Sequence, residues 1–209
     1  MAHSSTPWTQ GIQGREEQRQ LKRQALLRTA ARIFNKIGFH QTTLDDLAKA
    51  LNVSKPALYH YVKNKDELLL ECARLGAEHM QEALARASEQ GITGLEKLRF
   101  LFSRYAEVIS EDFGACLILS RNQVLVEEDR SELRARLLEL DLAVRRIIEE
   151  GIADGTIAPC DPKLTTFALF GAFNWIAQWY QTGGQLSPQQ IAEQFLAVFE
   201  NGLLPRNGP

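Results

Sequence analysis

The stretch of sequence that decides the fold is residues 44–63, LDDLAKALNVSKPALYHYVK. Leu47 and Leu58 stand where two short helices would anchor on a third, and Ala48 provides the small side chain needed where steeply crossing helices touch. Asn52 separates the two segments and tolerates the left-handed backbone of a tight turn, although less readily than glycine does. The order helix, left-handed turn, helix predicts a helix-turn-helix.

A helix-turn-helix of this kind places its second helix in the major groove of DNA. Residues 15–65 contain eleven Lys/Arg and four Asp/Glu, a net charge of +7, whereas residues 66–209 contain thirteen Lys/Arg and twenty-two Asp/Glu, a net charge of −9. A basic segment on an otherwise acidic chain suggests that one part of the protein meets a polyanion. An ordinary helical hairpin with a solvated basic face is the alternative interpretation.

Several side chains of the basic segment suit contact with DNA. Hydroxyls at helix starts, as at Thr43 and Ser54, can meet phosphates, and Lys55 can reach a phosphate or a guanine edge. Lys65 stands at the start of the next helix, where the helix dipole also favours a phosphate. Tyr61 suits a backbone contact or, equally, partial packing in the core. The predicted DNA-contact residues are Thr43, Ser54, Lys55, Ala57, Tyr59, His60, Tyr61 and Lys65.

Outside this stretch the periodicity is helical nearly throughout, and no strand-like alternation persists. The expected fold is all-α with about nine helices, in which a three-helix DNA-binding domain precedes a larger helical ligand-binding and dimerisation domain. Thr43 and Asp46 approximate a capping box, and one later helix is expected to run unbroken from about Lys163 to Tyr180. The expected divisions are a flexible N-terminal arm at 1–14, the DNA-binding domain at 15–65, and the ligand-binding and dimerisation domain at 66–204.

Composition and motif content favour a cytoplasmic binding protein over an enzyme or a membrane protein. No apolar run approaches the roughly eighteen residues that span a bilayer, and residues 1–14 do not have the pattern of a signal peptide. An odd number of cysteines, Cys72, Cys116 and Cys160, fits a reducing cytosol. The four histidines form no metal-ligand pair, and no phosphate loop or nucleophile elbow is present. We therefore expect no catalytic site, metal or cofactor.

The C-terminal third is rich in aromatic residues. They fall on more than one face of the helix expected from Lys163, so that helix must be buried on two sides. One side can meet the interior and another a second copy of the chain; core packing alone is the alternative. The predicted dimer-interface residues are Phe167, Phe173, Tyr180, Phe195 and Phe199.

Polar groups among these aromatics suggest a cavity that orients a ligand. Asn174 stands between two aromatic residues, and arginine and tyrosine side chains elsewhere could join it. The alternative is that these polar groups are solvated or capped. The predicted ligand-binding residues are Arg104, Tyr105, Arg121, Phe170, Asn174, Trp175, Gln178 and Trp179.

The stretches GFHQTTL at 38–44 and VSKPALYHYVKNKDEL at 53–68 closely resemble the DNA-binding domain of the TetR family of repressors. The resemblance covers about fifty residues. It implies DNA contact at the positions of Thr43, Lys55, Tyr59, Tyr61 and Lys65. It also implies a dimer in which the last two long helices of each copy form a four-helix bundle across a two-fold axis. Asn52 departs from the glycine frequent in the family. The stretch NWIAQWY at 174–180 resembles a subgroup that senses acyl-coenzyme A thioesters and related lipids.

The leading hypothesis is a dimeric repressor that binds a palindromic double-stranded DNA operator and is released by a small apolar effector, such as an acyl-CoA. Two alternatives stay open. One is an all-α lipid-binding enzyme or carrier with no DNA role. The other is a repressor regulated through cysteine oxidation.

Overall fold

The computed structural model describes residues 14–120 and 127–202. Ten helices and no strands occur within these two ranges, so the prediction of an all-α fold is confirmed. Residues 1–13 of the expected arm and Arg121 of the expected ligand set lie outside them. The helices are α1 (Arg15–Ile37), α2 (Leu44–Leu51), α3 (Lys55–Leu58), α4 (Lys65–Gln90), α5 (Gly94–Ser110), α6 (Asp112–Leu119), α7 (Glu127–Ala153), α8 (Pro162–Asn174), α9 (Ile176–Trp179) and α10 (Pro188–Asn201).

The tenth helix arises because the helix expected to run unbroken to Tyr180 is interrupted at Trp175. The Gln178 N–H donates to the Trp175 carbonyl at 3.0 Å, three residues back instead of the four of an α-helix. This tighter turn separates α8 from α9.

Two hydrophobic cores share the long helix α4. Its first turns contribute Leu68, Leu69 and Cys72 to a core made with α1, α2 and α3. From Ala73 onwards it contributes mainly to a larger core with α5, α7, α8 and α10. The core of the N-terminal unit thus extends into α4, beyond residue 65, so α4 joins the two parts of the protein directly.

Helix α6 packs between these two parts. A Cβ at Gly76 of α4 would lie 2.5 Å from the Phe113 carbonyl oxygen, so the close approach of α4 and α6 requires glycine there. On its other side α6 meets α1, since the Asp112 carboxylate accepts from Arg32 Nε at 2.8 Å and the Asp112 carbonyl accepts from Asn35 Nδ2 at 2.8 Å. The N-terminal unit is therefore held by both α4 and α6.

Candidate DNA interface and effector cavity

The first helix of the helix-turn-helix begins at a complete capping box. Thr43 Oγ1 accepts from the Asp46 N–H at 3.2 Å, and the Asp46 carboxylate accepts from the Thr43 N–H at 2.9 Å. Hydrogen bonds donated to its carboxylate, first by the Thr43 hydroxyl and then by the Thr43 N–H, lower the pKa of Asp46. The Thr43 hydroxyl also donates to Asp46 at 2.6 Å, so its proton is engaged within the cap. The predicted capping box is confirmed.

The turn that follows α2 has the left-handed backbone expected from the sequence. Asn52 has φ 54° and ψ 46°, and among the described residues it is the non-glycine residue with positive φ. Its N–H donates to the Lys49 carbonyl at 3.1 Å, and the Val53 N–H donates to the Ala48 carbonyl at 3.0 Å. This turn sets the direction in which α3 leaves α2.

Helix α3 is a single turn whose inner side is held by Leu58, which is fully buried. The outer side presents Ser54, Lys55, Tyr59 and His60, all exposed. Ser54 is the N-cap residue of α3, but its side chain makes no capping hydrogen bond. The arrangement can place hydroxyl, ammonium, phenol and imidazole groups against one groove of a duplex. Ala57 lies half-buried beside them.

Two of the expected contacts are occupied by partners within the protein. Lys55 Nζ donates to the Asp45 carboxylate at 2.8 Å, and that hydrogen bond raises the pKa of Lys55. Lys65 Nζ turns inward and donates to the carbonyl oxygens of Phe39 and Thr42 at 2.8 Å and 2.9 Å. Tyr61 is half-buried against the N-terminal core, as its alternative interpretation expected.

A cavity of about 290 Å³ lies between α5, α6, α7 and α8. Its lining residues are Tyr105, Leu117, Ile118, Leu137, Leu140, Asp141, Phe167, Phe170, Gly171 and Asn174. The buried Tyr105 hydroxyl donates to Asn174 Oδ1 at 2.6 Å, which engages the amide oxygen and leaves the amide NH₂ group as a donor for a ligand. A largely apolar wall with a few polar groups, here Asn174 and Asp141, is typical of a small-molecule site.

The structure brings together Tyr105, Phe170 and Asn174 of the expected ligand set, but not its other described members. Arg104 pairs with Glu107 and lines a separate polar cleft that contains His79. The other three are exposed and do not line the cavity: Trp175, Gln178 and Trp179. Leu137 and Leu140 of the cavity wall were missed, because their helical spacing on α7 identifies a buried face without showing which helix faces it.

The expected dimer-interface residues divide into buried and exposed groups. Phe173 has no exposed surface, and its ring lies 4.8 Å from that of Phe102 and 5.5 Å from that of Phe195, centroid to centroid. The prediction that Phe173 lies at the interface is therefore wrong, because its ring fills the core of the protomer. Phe195 and Tyr180 are half-buried against the same core, whereas Phe167 and Phe199 are exposed.

A larger apolar cavity of about 550 Å³ lies around the N-terminal half of α8 and the C-terminal end of α10. It is lined by Leu164, Phe199 and the exposed Cys160, and it contains none of the expected ligand residues. Its acidic side chain, Glu200, already accepts twice from Arg99, at 2.6 Å each. The carboxylate of Glu200 is therefore already engaged within the protein.

The cysteines differ sharply in their surroundings. Cys72 and Cys116 are buried, and Cys72 Sγ lies 3.4 Å from the Leu27 carbonyl oxygen. A hydrogen bond to Cys116, together with burial, raises the pKa of Cys72 well above its usual range. Because thiolates are the reactive form, this environment disfavours oxidation at Cys72. Cys160 is exposed, so it is the thiol through which regulation by cysteine oxidation would act.

The described residues contain no helix long and apolar enough to cross a membrane. The same residues contain no cluster of three or more His, Cys, Asp or Glu side chains that could hold a metal ion.

Comparison with known families places both parts of the chain. The model of bacterial regulatory proteins of the tetR family matches residues 26–72, and that of the tetracyclin repressor-like C-terminal domain matches residues 91–203. The chain belongs to the TetR family. As a TetR-family protein it is a ligand-responsive transcriptional repressor of the helix-turn-helix type, and the matches follow the two cores seen in the structure.

Individual relatives are similar over most of their length. The HTH-type transcriptional repressor KstR2 of Mycolicibacterium smegmatis is 26% identical over 198 residues, which cover 90% of this chain and 93% of that protein. The crystal structure of PfmR, a TetR-family regulator from Thermus thermophilus, is 26% identical, with a TM-score of 0.78 and coverage of 86% and 98%. AibR in complex with isovaleryl coenzyme A and operator DNA has the same fold, with a TM-score of 0.76, 24% identity, and coverage of 85% and 97%.

Proposed function

We propose that this TetR-family repressor binds a palindromic operator as a homodimer through the outer surface of α3, and that a small apolar effector in the Tyr105–Asn174 cavity releases it. The observation that carries the DNA half is the exposure of Ser54, Lys55, Tyr59 and His60 on a turn of helix held by the buried Leu58. In this arrangement phosphate contacts position the helix and base contacts give selectivity.

The reading surface is assigned distinct roles. Lys55 leaves Asp45 to meet a phosphate or a guanine edge, while Tyr59 and His60 reach base edges or the sugar-phosphate backbone. Ser54 donates its hydroxyl to a phosphate, because no capping hydrogen bond engages it. Ala57 offers its methyl group to a thymine methyl group.

The dimer forms, on this proposal, through α8 and α10. Leu164, Phe167 and Trp175 are 62%, 51% and 64% exposed and recur along α8 and its end at helical spacing. Val198 and Phe199 add exposed apolar surface on α10. Exposed apolar patches of this kind mark interaction sites, and a two-fold dimer presents two copies of α3 to a palindrome.

The effector is proposed to be a small apolar molecule, with short-chain acyl-CoA thioesters as the class to test first. The cavity of about 290 Å³ suits a short acyl group and is too small for a whole coenzyme, so the nucleotide part would lie outside it. The Asn174 amide can donate to the thioester carbonyl. The AibR complex with isovaleryl coenzyme A supports this choice within the same fold.

The DNA half is tested by selecting duplexes from a genomic library and measuring binding in gel-shift assays across a salt series. Lys55→Ala and Tyr59→Ala are expected to abolish selective binding while helical content and dimerisation persist. Lys36→Ala, which removes an exposed charge at the end of α1, is the matched control and should retain selectivity. Normal operator binding by the Lys55 and Tyr59 variants would refute the assignment of the reading surface.

The effector half is tested with isovaleryl-CoA, longer acyl-CoAs and free coenzyme A added to the operator complex. Acyl-CoA is expected to release the operator and free coenzyme A to leave it bound. Asn174→Ala should weaken release, whereas Gln178→Ala should not, because Gln178 lies outside the cavity. Lipid binding without any selective DNA binding would favour the carrier alternative instead.

A further inference from the structure

The ammonium group of Lys65 is built into the protein rather than directed at solvent. Lys65 is the first residue of α4, and its Nζ donates to the Phe39 carbonyl at 2.8 Å and to the Thr42 carbonyl at 2.9 Å. The same nitrogen lies 4.3 Å from the centroid of the Phe39 ring. Two of its three donors are thus engaged, and its charge faces an aromatic ring.

The turn that Lys65 contacts is itself closed and buried. Phe39 is 5% exposed and Thr42 is 1% exposed. The Thr42 hydroxyl donates to the Gly38 carbonyl at 2.8 Å, and the Thr42 N–H donates to the Phe39 carbonyl at 3.2 Å. The Phe39 ring also packs edge-on against Phe34 near the end of α1, at a centroid distance of 5.3 Å. Residues 38–42 therefore form a compact unit that Lys65 ties to α4.

The contacts between Lys65 and the turn at 38–42 lie directly before the helix-turn-helix formed by α2 and α3. Thr43, the residue after the turn, is the N-cap of α2, and α2 carries α3 through the left-handed turn at Asn52. In the other direction α4 continues to Gln90 through the core of the ligand-binding part. The position of the turn, and with it the orientation of α3, is thus joined to the start of α4.

We propose that Lys65 is a positioning residue that fastens the turn at 38–42 to α4 and thereby orients the helix-turn-helix, instead of contacting a DNA phosphate. Only one N–H of the ammonium group is left for a phosphate, because the other two donate to the Phe39 and Thr42 carbonyl oxygens. The expected effect on operator binding rests on the proposed function. The contacts between Lys65 and the turn do not, because they are present without DNA.

The decisive measurement is the salt dependence of operator binding by Lys65→Met, which keeps the stem and removes the charge. Each phosphate neutralised contributes about −0.9 to the slope of log K against log salt concentration, so loss of one phosphate contact per protomer would change a dimer's slope by about 1.8. We expect K65M to weaken binding to a library-selected operator at least tenfold at every salt concentration, with the slope of the control Lys36→Met. Lys65→Arg should recover much of the loss, because a guanidinium can donate to both carbonyls and stack on Phe39.

Two further readouts separate orientation from general loss of folding. Affinity for non-specific DNA should match that of K36M, because misorientation removes selectivity and leaves the remaining basic surface intact. Hydrogen exchange on the DNA-free protein should be faster at residues 38–47 in K65M, with unchanged exchange in α5 and α10. If the wild-type protein binds no operator, the proposed function fails and the exchange experiment alone decides the tie. The inference would be overturned if the slope of log K against log salt concentration were shallower by about 1.8 in K65M than in K36M. Unchanged hydrogen exchange at residues 38–47 would also overturn it.

Discussion

Replacing Phe173 by alanine tests whether the aromatic residues of α8 have been divided correctly between core and interface. The Phe173 side chain is fully buried and contacts the rings of Phe102 and Phe195. Truncation of a buried phenylalanine costs about 3–5 kcal/mol, through lost transfer free energy and the cavity that is left behind. In a chain of this length each kcal/mol lowers Tm by about 2–4 °C, so a decrease of roughly 6–20 °C is expected.

Phe167→Ala is the matched comparison, because Phe167 is also a phenylalanine of α8 but lies on another face of the helix and is half exposed. The expected loss of protomer stability is small, while dimerisation should weaken. Thermal unfolding followed by circular dichroism over about a hundredfold range of protein concentration separates the two effects, because dimer stability depends on concentration. The Tm deficit of F173A should be nearly constant over that range, and that of F167A should grow on dilution. A near-normal Tm for F173A together with dissociation into monomers would refute the placement of Phe173 in the core.

Three further perturbations probe the turn, the cap and the cavity. Asn52→Ala should lower the free energy of unfolding by about 1–2 kcal/mol in urea titrations, because alanine tolerates the left-handed backbone poorly. Asn52→Gly should be close to neutral in the same titrations. Equal stability of N52A and wild type would contradict the left-handed turn. The lowered pKa of Asp46 means that its cap contributes stability fully above the unfolded-state pKa of about 3.9 and loses it as the pH falls through the folded-state pKa. The stability difference between wild type and Asp46→Asn should therefore shrink in acid, and a difference that grows below pH of about 4 would exclude the cap as its source. Tyr105→Phe removes the hydroxyl that donates to Asn174, so we expect the free energy of unfolding to fall by about 0.5–1.5 kcal/mol. The acyl-CoA concentration needed to release the operator should also change. Unchanged release in a titration would place the effector elsewhere.

The helix-turn-helix could be predicted because its signals lie close together in the sequence. The Thr43–Asp46 cap joins residues three apart, and the turn at Asn52 depends on the conformation of one residue. Hydrophobic periodicity predicted the all-α fold for the same reason, since it reflects the geometry of one helix at a time. The pattern placed Leu58 on the inner side of α3, where the structure has it fully buried.

Only the tertiary structure decided which side chains meet. Phe167 and Phe173 look alike in the sequence, yet one is exposed and the other fills the core, because burial depends on which helices cross α8. Tyr105 and Asn174 are 69 positions apart, and their hydrogen bond requires α5 and α8 to pack side by side. Lys65 stands at a position suited to phosphate contact, but the turn at Phe39 turns its ammonium group inward. The sequence determined the local elements and their class of function, because caps, turns and helical faces follow from neighbouring residues. The direction of each functional side chain depended on contacts between residues far apart in the chain, which only the packed helices provide.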